Sequence, residues 1–235
     1  MEEIYNKYLS NAMSKYYSDD LFIRYYKRVP SMRNITFKYC LDYFKDQDNL
    51  NILELGTSRS FVDGKFPGVL INDKKYWKPN NMEVWDWSAG LFTKYFPDIL
   101  EERGKKYHLT TVDINNEALE ISKVITENRK QNITYLNNSS ESQIKNTPPK
   151  SIDLLYLDTG DMDYKTALLQ LKEAVLIVKY NIIKEGGLIL IDDVRNPNND
   201  FTRRNLGKSR FSIPFLLKNG FKIVLNEYQE ILKKV

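Results

Sequence analysis

The chain has 235 residues, 42% apolar and 28% charged, and a formal charge of +4; this is enough for one large domain with a real core, and too mild and too evenly spread a basic excess to signal nucleic acid. No run reaches the roughly 18 apolar residues of a membrane span and the first thirty residues hold no signal-peptide core, so a cytoplasmic protein with no membrane contact is expected. Cys40 is the only cysteine, which excludes an internal disulfide and a cysteine-based zinc site.

Residues 1–47 read as helical. Tyr5, Tyr8, Leu9, Met13, Tyr16 and Tyr17 recur at spacings near three and four, and a second helical segment, 35–44, follows the punctuation of Pro30 and Ser31. With Arg24, Lys27, Arg28 and Arg33 beside it, this piece is expected to cap a site or to hold a second copy of the chain as a homodimer. The main domain is expected over 48–235. It opens on 51–60, where Ile52, Leu53 and Leu55 carry Glu54 among them and stop at Gly56, Thr57, Ser58 and Ser60. That is the pattern of a buried parallel strand ending at a tight turn where backbone approaches a ligand. An insertion, 61–107, follows and contains Trp77, Trp85 and Trp87. It reads either as part of a binding pocket or as a satellite hydrophobic cluster. Ser88 is expected to cap a helix to about Phe96, with Pro97 starting a further turn to Arg103.

From His108 the pattern becomes regular. A strand over 109–114 closes with Asp113, and Asn115 or Asn116 caps a helix to about Asn128. A strand over 133–136 leads into Asn137-Asn138-Ser139-Ser140-Glu141, and the apolar run 152–157 closes with Asp158. A long helix is expected over 164–183, ended by Gly186-Gly187. A buried strand, 188–191, then closes with Asp192 and Asp193. After a loop from Arg195 to Gly207 and one more helix, 221–226 and 229–233 are joined too tightly for a crossover and should pair antiparallel. His108, the single histidine, reads as a packing or surface residue. Alternating strands and helices predict an α/β fold: a Rossmann-like, mostly parallel sheet covered on both faces, with an antiparallel edge hairpin and an N-terminal helical cap.

Four strand ends thus carry polar groups at one sheet edge: Glu54 to Gly56, Asp113, Asp158, and Asp192 with Asp193. Taken singly each acid reads equally as a helix cap or a loop solubiliser. Burying several of them costs several kcal/mol apiece unless each finds a partner, so their coincidence predicts a site. An acid closing the second strand suits both hydroxyls of a ribose. No Gly-x-Gly-x-x-Gly and no phosphate-cradling lysine motif is present, which leaves a nucleoside without a pyrophosphate and points to S-adenosylmethionine.

Over 48–235 the sequence resembles the class I S-adenosylmethionine-dependent methyltransferases. Ile-Leu-Glu-Leu-Gly-Thr-Ser-Arg-Ser (52–60) looks like the first motif, with Ser58 and Ser60 where later glycines stand, and Thr-Val-Asp-Ile (111–114) like the ribose-binding motif. Asn-Ser-Ser-Glu (138–141) and Gly-Gly-Leu-Ile-Leu-Ile-Asp-Asp (186–193) match the adenine-contact and fifth-strand motifs. The resemblance implies that Glu54, Gly56, Thr57, Ser58, Ser60, Asp113, Ile114, Ser139, Ser140 and Asp158 hold the cofactor. Within the class it is nearest the metal-dependent small-molecule O-methyltransferases of the catechol and macrolide-sugar kinds, which implies Mg²⁺ on Asp158, Asp192 and Asp193. Asp161 stands where that group has a lysine or histidine base, so Asp161 and Asp158 are the candidate catalytic residues. Arg33, Trp85 and Arg195 are the candidate substrate contacts. The implied activity is methyl transfer to an oxygen of a small molecule such as a sugar, a nucleotide-sugar or another hydroxylated metabolite. One rival is an RNA or base methyltransferase, although the motif Asn/Asp-Pro-Pro-aromatic is replaced by Asp158-Thr-Gly-Asp161. A non-catalytic binding subunit that keeps the fold is the other.

Overall fold

The computed structural model describes residues 33–57, 75, 77–81, 91–127, 131–161, 163–194 and 207–235. The aromatic stripe of residues 5–17, the expected Ser88 cap, and Trp85 and Trp87 lie outside them. The described chain runs α1 (Asn34–Tyr43), β1 (Asn49–Leu55), α2 (Phe92–Glu102), β2 (Lys106–Asp113), α3 (Asn116–Ile125), β3 (Ile133–Asn137), α4 (Ser140–Asn146), β4 (Ile152–Leu157), α5 (Tyr164–Tyr180), β5 (Ile183–Ile191), α6 (Ser212–Lys218), β6 (Phe221–Asn226) and β7 (Glu230–Lys234). Seven strands form one sheet in the order β3-β2-β1-β4-β5-β7-β6. The first five strands are mutually parallel, and β7 lies antiparallel to both β5 and β6.

Alternation along β1 explains how the sheet is covered. Leu50 and Ile52 face a cluster built with Phe37 and Cys40 of α1, Phe92 and Phe96 of α2 and Ile121 of α3. Leu53 and Leu55 face the opposite cluster, with Ile144 of α4, Ala174 and Ile177 of α5 and Leu216 of α6. Every residue of β4 is buried, as a central strand between two helical layers requires. The described part of the expected cap packs into the first cluster through Phe37, Cys40 and Leu41 of α1 and Phe44 just beyond it. Among the described residues no helix is long and apolar enough to cross a membrane.

Two boundaries differ from the expectation. Pro97 lies inside α2 and does not start a new turn. Seven side chains of that helix, Phe92, Thr93, Tyr95, Phe96, Pro97 itself, Ile99 and Leu100, are buried, so packing outweighs the one backbone bond that proline removes. Gly186 and Gly187 do not end α5. Asn181 does, in the left-handed conformation, and the two glycines sit in β5 beside the register shift between Ile152 and Leu154 of β4.

The chain leaves β1 toward β2 and β3 on one side and returns to β4 on the other. The crevice beyond the tips of β1 and β4 is therefore where the strand order reverses, the place at which an open α/β sheet takes a ligand.

Candidate functional site

At that crevice Gly56 turns the chain with φ +94°, and a Cβ there would lie 2.4 Å from the Asp158 carbonyl oxygen. Only glycine allows both the positive φ and this close approach of the β1 and β4 tips. Asp113 closes β2 with its carboxylate fixed between two amides: Thr57 N donates to Oδ2 at 3.2 Å and Asn115 N to Oδ1 at 2.8 Å. Asn115 in turn caps α3. Gly56, Asp113, Ile114, Ser139, Ser140 and Gly160 line a cavity of about 380 Å³. Ile114 is 78% exposed at its mouth. Ser139 caps α4, and Ser140 is buried behind it. Glu173 of α5 lies beneath, fully buried, accepting a 2.9 Å hydrogen bond from Thr159 Oγ1, and burial pushes its carboxyl up to about 7.

A second cavity of about 380 Å³ shares Gly56, Asp113, Ile114 and Gly160 with the first and continues to Arg33, Asp158, Asp161 and Asp193. Oxygens of Asp158, Asp192 and Asp193 lie within 4.8 Å of one another. Two cations already hold them. Lys208, with no exposed surface, places Nζ 2.7 Å from Asp158 Oδ1 and 3.1 Å from Asp193 Oδ2. Arg33 forks onto Asp192, with Nη2 2.8 Å and Nε 2.9 Å from Oδ2, and its Cζ sits 5.1 Å over the Tyr228 ring. Asp192 also accepts from Tyr156 Oη at 2.7 Å, Gln229 Nε2 at 3.0 Å and the Asp193 amide at 2.8 Å. The Tyr228 hydroxyl donates to Asp193.

The electrostatics follow from these contacts. Burial alone would raise Asp192, but the Arg33 and Lys208 charges hold it below the usual carboxylate range. Burial and the like charge of Asp192 push Asp158 up, against the pull of Lys208. Burial opposes the charge on Lys208, but Asp158, Asp193 and Asp192 more than offset it and keep the ammonium protonated.

The three acids therefore meet as the sequence suggests, but the Mg²⁺ implied by the resemblance does not fit them as they stand. Asp192 accepts three donors on Oδ1 and three on Oδ2, Arg33 Nε being shared between them, which fills its lone pairs. A divalent ion bridging Asp158 and Asp193 would have to expel Lys208 from Asp158 Oδ1 and Asp193 Oδ2.

Gly56, Thr57, Asp113, Ile114, Ser139, Ser140, Asp158, Asp161, Asp193 and Arg33 all line or border one cleft. Glu54 does not: it is buried behind the β1 tip, where its Oε2 accepts from Thr93 Oγ1 at 2.5 Å. Ser58, Ser60, Trp85 and Arg195 lie outside the described residues. Sequence reasoning missed the inward turn of Lys208 and the hydroxyl of Tyr156, hidden in an apolar run.

Residues 87–194 match the model of a family described as a methyltransferase domain, which supports methyl transfer. Comparison with curated protein sequences gives no match. Among solved structures, the chain is similar to a candidate caffeoyl-CoA O-methyltransferase from Staphylococcus aureus, at 16% identity and TM-score 0.52, over 97% of each chain. This likeness carries the fold: a Rossmann-like, mostly parallel seven-stranded sheet. Two more distant likenesses are to an SAH-bound methyltransferase from Podospora anserina (12% identity, TM-score 0.48, 86% of this chain and 78% of that one) and to an N-methyltransferase from Bradyrhizobium japonicum (12%, 0.46, 86% and 94%).

Proposed function

We propose that the chain transfers a methyl group from S-adenosylmethionine to an oxygen of a small hydroxylated molecule. The observation that carries this reading is the Asp113 carboxylate, fixed by the Thr57 and Asn115 amides beside the Gly56 turn at the point of strand reversal. Each of its oxygens keeps a lone pair for one hydroxyl of a ribose. Ile114, 78% exposed at the cavity mouth, offers an apolar face for adenine, and Ser139 and Ser140 offer polar groups at its edge.

S-adenosylmethionine supplies an electrophilic methyl on a sulfonium. The chain's own residues do the rest. Gly56 leaves room for the donor to pass from the first cavity into the second, toward Asp158. Arg33 and Asp161 face the acceptor side, where a guanidinium suits a polar or anionic group of the acceptor. The acceptor oxygen forms its bond to the methyl carbon as the carbon–sulfur bond breaks. Its proton passes to Asp158 or Asp161, the carboxylates on the cleft wall. Mg²⁺ takes no part in the proposal, because its expected ligands are already paired.

Isothermal titration with S-adenosylmethionine and S-adenosylhomocysteine tests the reading. Binding of both, weakened about tenfold or more by Asp113→Ala, is the expected result. If neither binds at millimolar concentration, the fold is serving as a non-catalytic scaffold. A labelled methyl donor offered with panels of sugars, nucleotide-sugars, phenols and amines then separates oxygen from nitrogen acceptors.

A further inference from the structure

The carboxylates Asp158, Asp192 and Asp193 form the kind of trio that ordinarily gathers around a divalent cation, yet this chain fills the centre itself. We propose that Lys208 is a built-in cation: its ammonium takes the position of a metal ion between Asp158 and Asp193, and the cleft works without one. The inference concerns metal binding alone and stands whether or not the chain transfers methyl groups.

Three features make Lys208 a designed part of the site instead of a surface arm that has folded inward. Its three protons have three acceptors: Asp158 Oδ1 at 2.7 Å, Asp193 Oδ2 at 3.1 Å and the Gly160 carbonyl at 3.3 Å. The backbone that delivers it is pinned. Gly207 has φ +49°, and a Cβ there would lie 2.0 Å from the Asp193 carbonyl oxygen, so the turn carrying Lys208 is seated directly on the residue it neutralises. Asp193 itself adopts φ +51°, a left-handed conformation that a non-glycine residue holds only when its surroundings impose it, and its carboxylate is shared by Lys208 and Tyr228.

Charge decides between an ion and the ammonium. Lys208 and Arg33 oppose the three carboxylates, leaving one negative charge over, and a divalent ion added beside them would face both cations at close range. Arg33 closes the remaining route by saturating Asp192. All three Lys208 protons are spent within the protein, so it is a positioning residue: it holds the Asp158 and Asp193 carboxylates together at the cleft wall without touching the acceptor.

The test is metal binding, read by isothermal titration and by the Mn²⁺ electron paramagnetic resonance signal, with no methyl donor or acceptor present. The wild-type protein, freed of metal by chelation, should not bind Mn²⁺ or Mg²⁺ below millimolar concentration, and chelation should leave its thermal midpoint unchanged. Lys208→Ala removes the ammonium and leaves three acids around a void, so it should bind Mn²⁺ about tenfold or more tighter than wild type, and Asp193→Asn in that background should abolish the gain. Sub-millimolar Mn²⁺ binding by the wild type would overturn the proposal, as would a folded Lys208→Ala variant with no gain. Lys208→Met, which keeps the length of the side chain, is the second variant should alanine prevent folding. If neither variant folds, the wild-type titration decides alone: absent binding supports the built-in cation and sub-millimolar binding refutes it.

Discussion

Arg33 and Asp192, 159 residues apart in the chain, meet in a forked ion pair whose Nε reaches both carboxylate oxygens, at 3.1 and 2.9 Å. The pair ties the start of α1 to the tip of β5, at the rim of the cleft. Removing one partner of a buried pair leaves the other charge without compensation, a cost of roughly 3–5 kcal/mol. For a chain of this size, roughly 2–4 °C per kcal/mol makes that a fall of about 6–20 °C in thermal midpoint for Arg33→Ala. Arg33→Lys keeps the charge but loses the fork and the stacking over Tyr228, and should recover only part of the loss. Equal midpoints for Arg33→Ala and wild type, by calorimetry, would show that the pair contributes nothing.

Gly56→Ala should damage the site more than the core. The new Cβ would meet the Asp158 carbonyl oxygen at 2.4 Å while the backbone holds φ +94°, so the β1 turn and the β4 tip must separate. Asp158 and the Thr57 amide that holds Asp113 then move together. Affinity for S-adenosylhomocysteine is expected to fall by about tenfold or more, with a smaller loss of stability of about 1–3 kcal/mol. Unchanged affinity by titration would mean that the turn does not shape the ligand site.

Ile114 supplies a cleaner separation of binding from folding. At 78% exposure it contributes little to the core, so Ile114→Ser should change stability by no more than about 0.5 kcal/mol. If an adenine ring covers it in the complex, the same substitution should weaken S-adenosylhomocysteine several-fold while leaving the unliganded thermal midpoint in place. Loss of stability without loss of affinity would assign Ile114 a structural role.

The sheet was legible in the sequence because its signals are local. Ile152–Leu157 is a six-residue buried run bounded by turn residues, and its limits match the strand. The acids at strand ends were legible for the same reason: Asp113, Asp158, Asp192 and Asp193 each close an apolar run. The position of Glu54 was also encoded, in the alternation of β1. Leu53 and Leu55 face the α5 side, so Glu54 must share the face of Ile52 and point at α2, where Thr93 meets it. What the pattern lacks is any mark on Lys208. It turns inward because Gly207 seats that turn on Asp193, a contact between segments with no local signature. Tyr156 is similar, since nothing in an apolar strand distinguishes a hydroxyl that packs from one that reaches Asp192.

Glu54 gives a pH dependence whose sign can be worked out. Burial pushes its carboxyl up from the ordinary 4.5 to about 8, against the hydrogen bond from Thr93, and among the described residues Oε1 has no hydrogen-bond partner. The folded state therefore binds this proton more tightly than the unfolded chain does. Its contribution to stability is fully present below about 4.5 and is lost as pH rises through about 8. Glu54→Gln keeps an acceptor for Thr93 and has no proton to lose. Relative to wild type it should gain stability steadily as pH rises from about 5 to 9, by up to about 4–5 kcal/mol, the full linkage of a buried carboxyl with this shift. Denaturant midpoints measured across that range check the slope. Parallel curves for the two proteins would mean that Glu54 is ionised in the folded state and that a cation or ligand near the β1 tip compensates it.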